Sequence, residues 1–219
     1  MRLLSGVRFP RVCQIYHKMK KSLFIDIETF SSVDITTCGS YKYFESPDFE
    51  ILIICYAYDD EPIKTLDLAQ GDKIPDHFIV ALTNPEIEKH AHNANFERNA
   101  FKAYGIDTPI EQWHCSAVKS AYCGLPLPLD AVSKALELGE LGKSAEGKAL
   151  IKLFSCPVKP TKANGMKTRI LTTDQPDKWE RYKYYCMQDV VAEREILKRL
   201  EKYKYPESER VNYILDQKI

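Results

Sequence analysis

The stretch FIDIETF, residues 24 to 30, constrains this chain more than any other. Its apolar and β-branched residues predict a strand. Inside that strand stand Asp26 and Glu28, two residues apart. On a strand, side chains at i and i+2 leave the same face. Two carboxylates therefore point together from an otherwise apolar element. They repel one another, and each resists desolvation. A divalent cation between them would remove both costs. A solvated strand end would relieve them too, and this pair alone leaves both readings open.

The rest of the chain supplies a frame for that strand. SLFIDIET (22–29), FEILIICYAYDD (49–60) and PIKTLDL (62–68) read as an antiparallel meander, with a loop predicted over 38–48. A helix is predicted at 74–84, a strand at 86–94, and a helix at 95–105 ending on Gly105. Residues 113–124, 129–138 and 145–155 read as helical pieces, 157–176 as a loop, and 176–205 as a long helix free of Pro and Gly inside. Residues 206–219 read as a tail or linker. This order predicts an α/β fold with a mixed central sheet, a meander followed by strand–helix units, flanked by helices. The 219 residues suit one such domain with or without a tail.

Composition excludes some roles. No apolar run approaches the length of a membrane span, so no membrane is expected. Seven cysteines without CxxC spacing fit reduced thiols better than a disulfide framework. The net charge is zero, but the charge is segregated. Residues 1–22 carry Arg2, Arg8, Arg11, Lys18, Lys20 and Lys21 with no acid. Residues 157–171 carry Lys159, Lys162, Lys167 and Arg169 with no acid. An acidic body with basic segments suits a metal in one place and phosphates in another; basic solvated loops would look the same. The leader resembles a transit peptide, or translation starts at Met19.

Two further motifs hold acids. In HNANFERNAF (92–101), Glu97 falls in the first turn of a predicted helix, where the dipole favours an acid in any case. In YYCMQDVVAERE (184–195), Tyr185 and Asp189 share a helix face at i, i+4. GELGKSAEG lacks the first glycine of a phosphate-binding loop, since position 137 is Glu. His90 and His92 have no third ligand at a zinc spacing.

Taken in order, DxE, NxxFE and YxxxD resemble the tyrosine branch of the DEDD 3′–5′ exonucleases, which have a ribonuclease H-like fold. Residues 22–219 are further similar to the proofreading region of phage-type family-A DNA polymerases through FIDIETFSSVDITTCGSYKYFESPDFEIL, HNANFERNAF, KPTKANGMKTR and YILDQKI. The resemblance implies that Asp26, Glu28, Glu97 and Asp189 hold two divalent cations, Mg²⁺ or Mn²⁺, and that Tyr185 orients the attacking water. It implies that Asn93 and Phe96 help seat the 3′-terminal nucleotide, with Thr29, Lys162 and Arg169 also at the nucleic acid. The superfamily's usual Asp in the second motif is here Glu97, a methylene longer, as in phage-type members. The implied organisation is a basic, flexible extension at 1–21, an exonuclease domain at 22–205, and a tail at 206–219 that leads to a polymerase domain in the family.

The expected substrate is single-stranded DNA or a frayed 3′ end, cut to nucleoside 5′-monophosphates in the cytoplasm of a bacterium or phage-infected host. A polymerase domain or subunit in trans is the expected partner, and no polymerisation is expected of this chain alone. An exoribonuclease resembling ribonuclease D, and a non-catalytic DNA-binding module, are the rival readings.

Overall fold

The computed structural model describes residues 21–139 and 145–218. The predicted extension, apart from Lys21, and the GKS of residues 142–144 lie outside the described residues. The first strand forms as expected: β1 (Ser22–Phe30) is the centre of the sheet. Around it lie β2 (Glu50–Tyr58), β3 (Lys64–Asp67), β4 (Glu88–Ala91) and β5 (Trp113–Cys115). The sheet order is β3-β2-β1-β4-β5. β1 pairs antiparallel with β2 and β2 with β3, while β1–β4 and β4–β5 are parallel. The predicted meander and the later strand–helix units therefore meet on β1, in a mixed sheet flanked by helices.

Alternation along β1 sorts its side chains. Leu23, Ile25 and Ile27 pack on one face against α2 (Asp76–Thr83) and α3 (Asn95–Ala103), with Phe78, Leu82, Phe101 and Trp113 in the same cluster. The opposite face meets α6 (Ala145–Phe154) and α7 (Pro176–Leu200) through Phe154, Trp179, Tyr182, Cys186 and Val190. Asp26 and Glu28 lie on this second face. A bulge between Glu28 and Thr29 shifts the register against β2 just past the acids, a device that re-aims side chains beside a site. The angle of α7 is fixed by Trp179 Nε1, which donates to Asp67 Oδ2 at 2.7 Å, and by Lys183, 3.2 Å from the same carboxylate.

Three segments differ from expectation. Residues 38–48, predicted as a loop, contain most of α1 (Ile35–Phe44), which is capped by Asp34 accepting from Thr36 N and kinked at Gly39 (φ +77°). The glycine hides the helix from pattern reading, and an aromatic cluster holds it: Tyr43 and Phe44 pack on Phe49 and Phe96. Residues 113–115, predicted as helix, form β5, because pairing with β4 overrides local propensity before α4 (Ser116–Tyr122) begins. The segment read as a tail carries α8 (Glu207–Asp216), docked by buried Tyr213 and by Arg210 donating to the carbonyls of Trp113 and Glu111. A short helix α5 (Leu129–Ala135) completes the flank beside α7. No described helix is long and apolar enough to cross a membrane.

Candidate active site

The three acid-bearing motifs, far apart in sequence, converge. Carboxylate oxygens of Asp26 and Glu28 and the Cys186 sulfur lie within 4.8 Å of one another. Glu97 enters from the first turn of α3 and Asp189 from α7, and each interacts electrostatically with the β1 pair. Glu28 and Glu97 are buried, at 7% and 3% exposure. Burial raises the pKa of all four acids above the ordinary carboxylate range, and mutual repulsion adds to it for Asp26 and Glu28. Glu97 is pushed up to about 8 and Asp189 to about 7.

Among the described residues, the enclosed oxygens Asp26 Oδ2 and Glu97 Oε2 find no hydrogen-bond partner. Buried polar atoms are rarely left so. Converging carboxylates with such oxygens fit a divalent metal centre built on oxygen ligands. Cys186 does not supply a hard ligand; its thiol lies 3.5 Å from the Asp26 carbonyl, to which it donates.

Two residues support this cluster. Tyr185 interacts with Asp189, and burial with the neighbouring negative charge keeps its hydroxyl protonated. Tyr182, which sequence reasoning missed, donates to Glu28 Oε2 and bonds Ser155 Oγ at 2.7 Å. It lies seven residues before Asp189, two turns back on the same helix face, and that spacing was the available signal. A partner that orients a ligating carboxylate usually tunes metal affinity. Tyr182→Phe is expected to weaken Mn²⁺ binding by roughly tenfold, read by titration of the free ion's paramagnetic signal; unchanged affinity would remove this role. Glu193, one turn after Asp189, is a further missed acid. It is 1% exposed and held well above the usual range by burial.

Beside Glu28 opens a cavity of about 830 Å³, lined by Thr29, Val33, Tyr43, Phe96, Ile151 and Val158 among others. Thr29 is buried there with its hydroxyl 2.7 Å from Tyr43 Oη. Phe96 lines the wall. Asn93 is exposed in the turn before α3, at φ +74°, a conformation that Asn tolerates well. Lys162 is exposed on the 157–171 loop. Arg169 is paired with Glu50 and stacked 3.9 Å over Phe30. His90 stacks between Phe24 and His114, with ring centroids 4.7 and 5.1 Å away, in keeping with a packed role.

Comparison with known proteins adds to this geometry. The chain is 52% identical over 200 residues to a DNA polymerase of Bacillus phage SP02, covering 91% of this chain. It spans only about a third (31%) of that polymerase. Among solved structures, Escherichia coli RNase D, an exoribonuclease involved in structured RNA processing, superposes with a TM-score of 0.57 at 14% identity, over 94% of this chain and 46% of that one. This shows a ribonuclease H-like fold. No family model matches the sequence. The resemblance read from the motifs is borne out by the polymerase relative and by the fold.

Proposed function

From a ribonuclease H-like fold with a phage DNA polymerase as relative, we infer that this chain is a metal-dependent 3′–5′ exonuclease acting on DNA. The observation that carries this reading is the meeting of four acids from three distant motifs, Glu28 and Glu97 buried and Asp26 and Asp189 partly so. Asp26, Glu28, Glu97 and Asp189 would hold two divalent cations, and an all-oxygen carboxylate set suits Mg²⁺ or Mn²⁺. Bound there, such a pair would supply a water of lowered pKa and charge stabilisation for the oxygens of an in-line displacement.

The chain's own groups do the remainder. Tyr185, neutral and tied to Asp189, offers its hydroxyl to orient the nucleophilic water. Tyr182 keeps Glu28 aimed into the centre. The apolar cavity beside Glu28 is of a size that takes a nucleoside; Thr29 and Phe96, which line it, would seat the 3′-terminal nucleotide together with Asn93. Lys162 is free to meet phosphate. Residues 22–205 would make the nuclease domain. The longer polymerase relative supports a role beside a polymerase, in the same chain or in trans.

Tyr185→Phe is expected to lower the cleavage rate by at least roughly tenfold while Mn²⁺ binding stays unchanged. A wild-type rate in this variant would remove Tyr185 from the mechanism. The similarity to RNase D makes RNA the alternative substrate. Degradation of matched DNA and RNA strands decides between them: faster loss of DNA supports the polymerase-linked reading, and faster loss of RNA overturns it.

A further inference from the structure

The basic loop after α6 is built as a braced hairpin. Val158 N donates to Thr168 O at 2.8 Å across its base, and Met166 N donates to Thr161 O at 2.8 Å near its tip. Asn164 staples the interior: its amide nitrogen donates to the Lys159 and Lys167 carbonyls, and its oxygen accepts from Thr161 N at 2.9 Å. Lys167 pairs with Asp174. Arg169 pairs with Glu50 and stacks on Phe30, two residues beyond Glu28 on β1. The stem residues Cys156 to Lys159 line the cavity beside Glu28. The hairpin is thus fixed to the rim of the candidate active site.

Its tip is unusual. Gly165 and Met166 both lie in the left-handed region, at φ +68° and +61°. Glycine adopts this without cost, but methionine does not. Met166 is 62% exposed. A strained, exposed apolar side chain stands at the tip of a loop braced by internal hydrogen bonds. No described acid pairs with Lys159 or Lys162 on either side of it.

We propose that this hairpin is a strand-separating wedge for double-stranded DNA: Met166 stacks against the terminal base pair of a duplex while Lys159 and Lys162 hold phosphates, so that the 3′ strand is released into the cavity. This rests on the exonuclease reading above and adds the duplex end as a substrate. Apolar side chains, methionine included, are a known chemical means of unstacking a base step, and flanking cations supply the sequence-independent grip.

Met166→Gly removes the side chain and suits the backbone, so the fold is preserved. Two assays use it. In the first, a duplex with 2-aminopurine at its 3′ end is bound in Ca²⁺, and fluorescence reports unstacking without cleavage. The wild type is expected to brighten the probe and Met166→Gly to leave it dark; equal fluorescence with both overturns the wedge. In the second, blunt duplex and single strand are digested in Mg²⁺. The variant is expected to lose roughly tenfold or more on the duplex and to keep the single-strand rate. Equal losses on both substrates, or none on either, overturn the proposal. A wild type that cuts neither substrate yet brightens the probe would refute the nuclease reading and leave the wedge standing.

Discussion

Asp26→Asn is expected to abolish cleavage and, in the absence of metal, to leave the fold at least as stable as the wild type. The two halves of that outcome have one cause. Asp26 stands on the central strand with an enclosed, unpartnered oxygen, repelled by Asp189, Glu28 and Glu97. Without a cation, its charge is a liability to the fold. With a cation, it is a ligand that no neutral amide replaces in kind. Loss of such a group at a preorganised electrostatic centre should lower the rate on the order of a thousandfold or more. Removing one anion from a crowded buried set should raise the metal-free melting temperature at pH 8, or leave it unchanged. Steady-state cleavage and a thermal melt check both. Full activity would remove Asp26 from the site, and a collapsed melt would show that it serves packing instead.

The second large effect is the pH dependence of metal stabilisation. Burial raises Glu97 from 4.5 to about 8 and Asp189 from 3.8 to about 7 in the folded protein. A carboxyl with a raised folded pKa binds its proton more tightly when folded. Its stabilising contribution is complete below the unfolded value and is lost as pH rises through the folded one. The metal-free protein should therefore lose stability progressively from about pH 4 to about pH 8. A divalent cation competes with those protons, so its binding strengthens over the same window. Melts at pH 5.5 and 8.5, with EDTA or with Mn²⁺, should show a small metal-induced shift at the lower pH and a shift of many degrees at the higher one. An equal shift at both values would mean that the ion binds elsewhere.

What the sequence made legible follows from the range of each signal. The carboxylate pair on β1 was readable because strand geometry alone puts i and i+2 on one face, and Tyr185 with Asp189 because i, i+4 is a helix contact. The mixed sheet was readable from continuous apolar runs such as ILIICYAY. Tyr182 was not, because its partner Glu28 is 154 residues away and a buried tyrosine in a helix reads as core. Glu193 carries no local signal either, because its burial comes from elements distant in sequence. Strand β5 is three residues long and exists only through its pairing with β4. Helix α1 was hidden by Gly39 at its kink, and α8 by having one buried residue, Tyr213, to mark its face. The pairing of Arg169 with Glu50 was not readable, because the two lie far apart in sequence.

The measurement that bears most directly on the account uses a 5′-labelled single-stranded DNA oligonucleotide, incubated with Mg²⁺, Mn²⁺ or EDTA, for the wild type and Asp26→Asn. A ladder shortened from the 3′ end is expected in either metal, absent with EDTA and absent in the variant. An intact strand with well-folded wild type in both metals, or a ladder that survives EDTA, would contradict it.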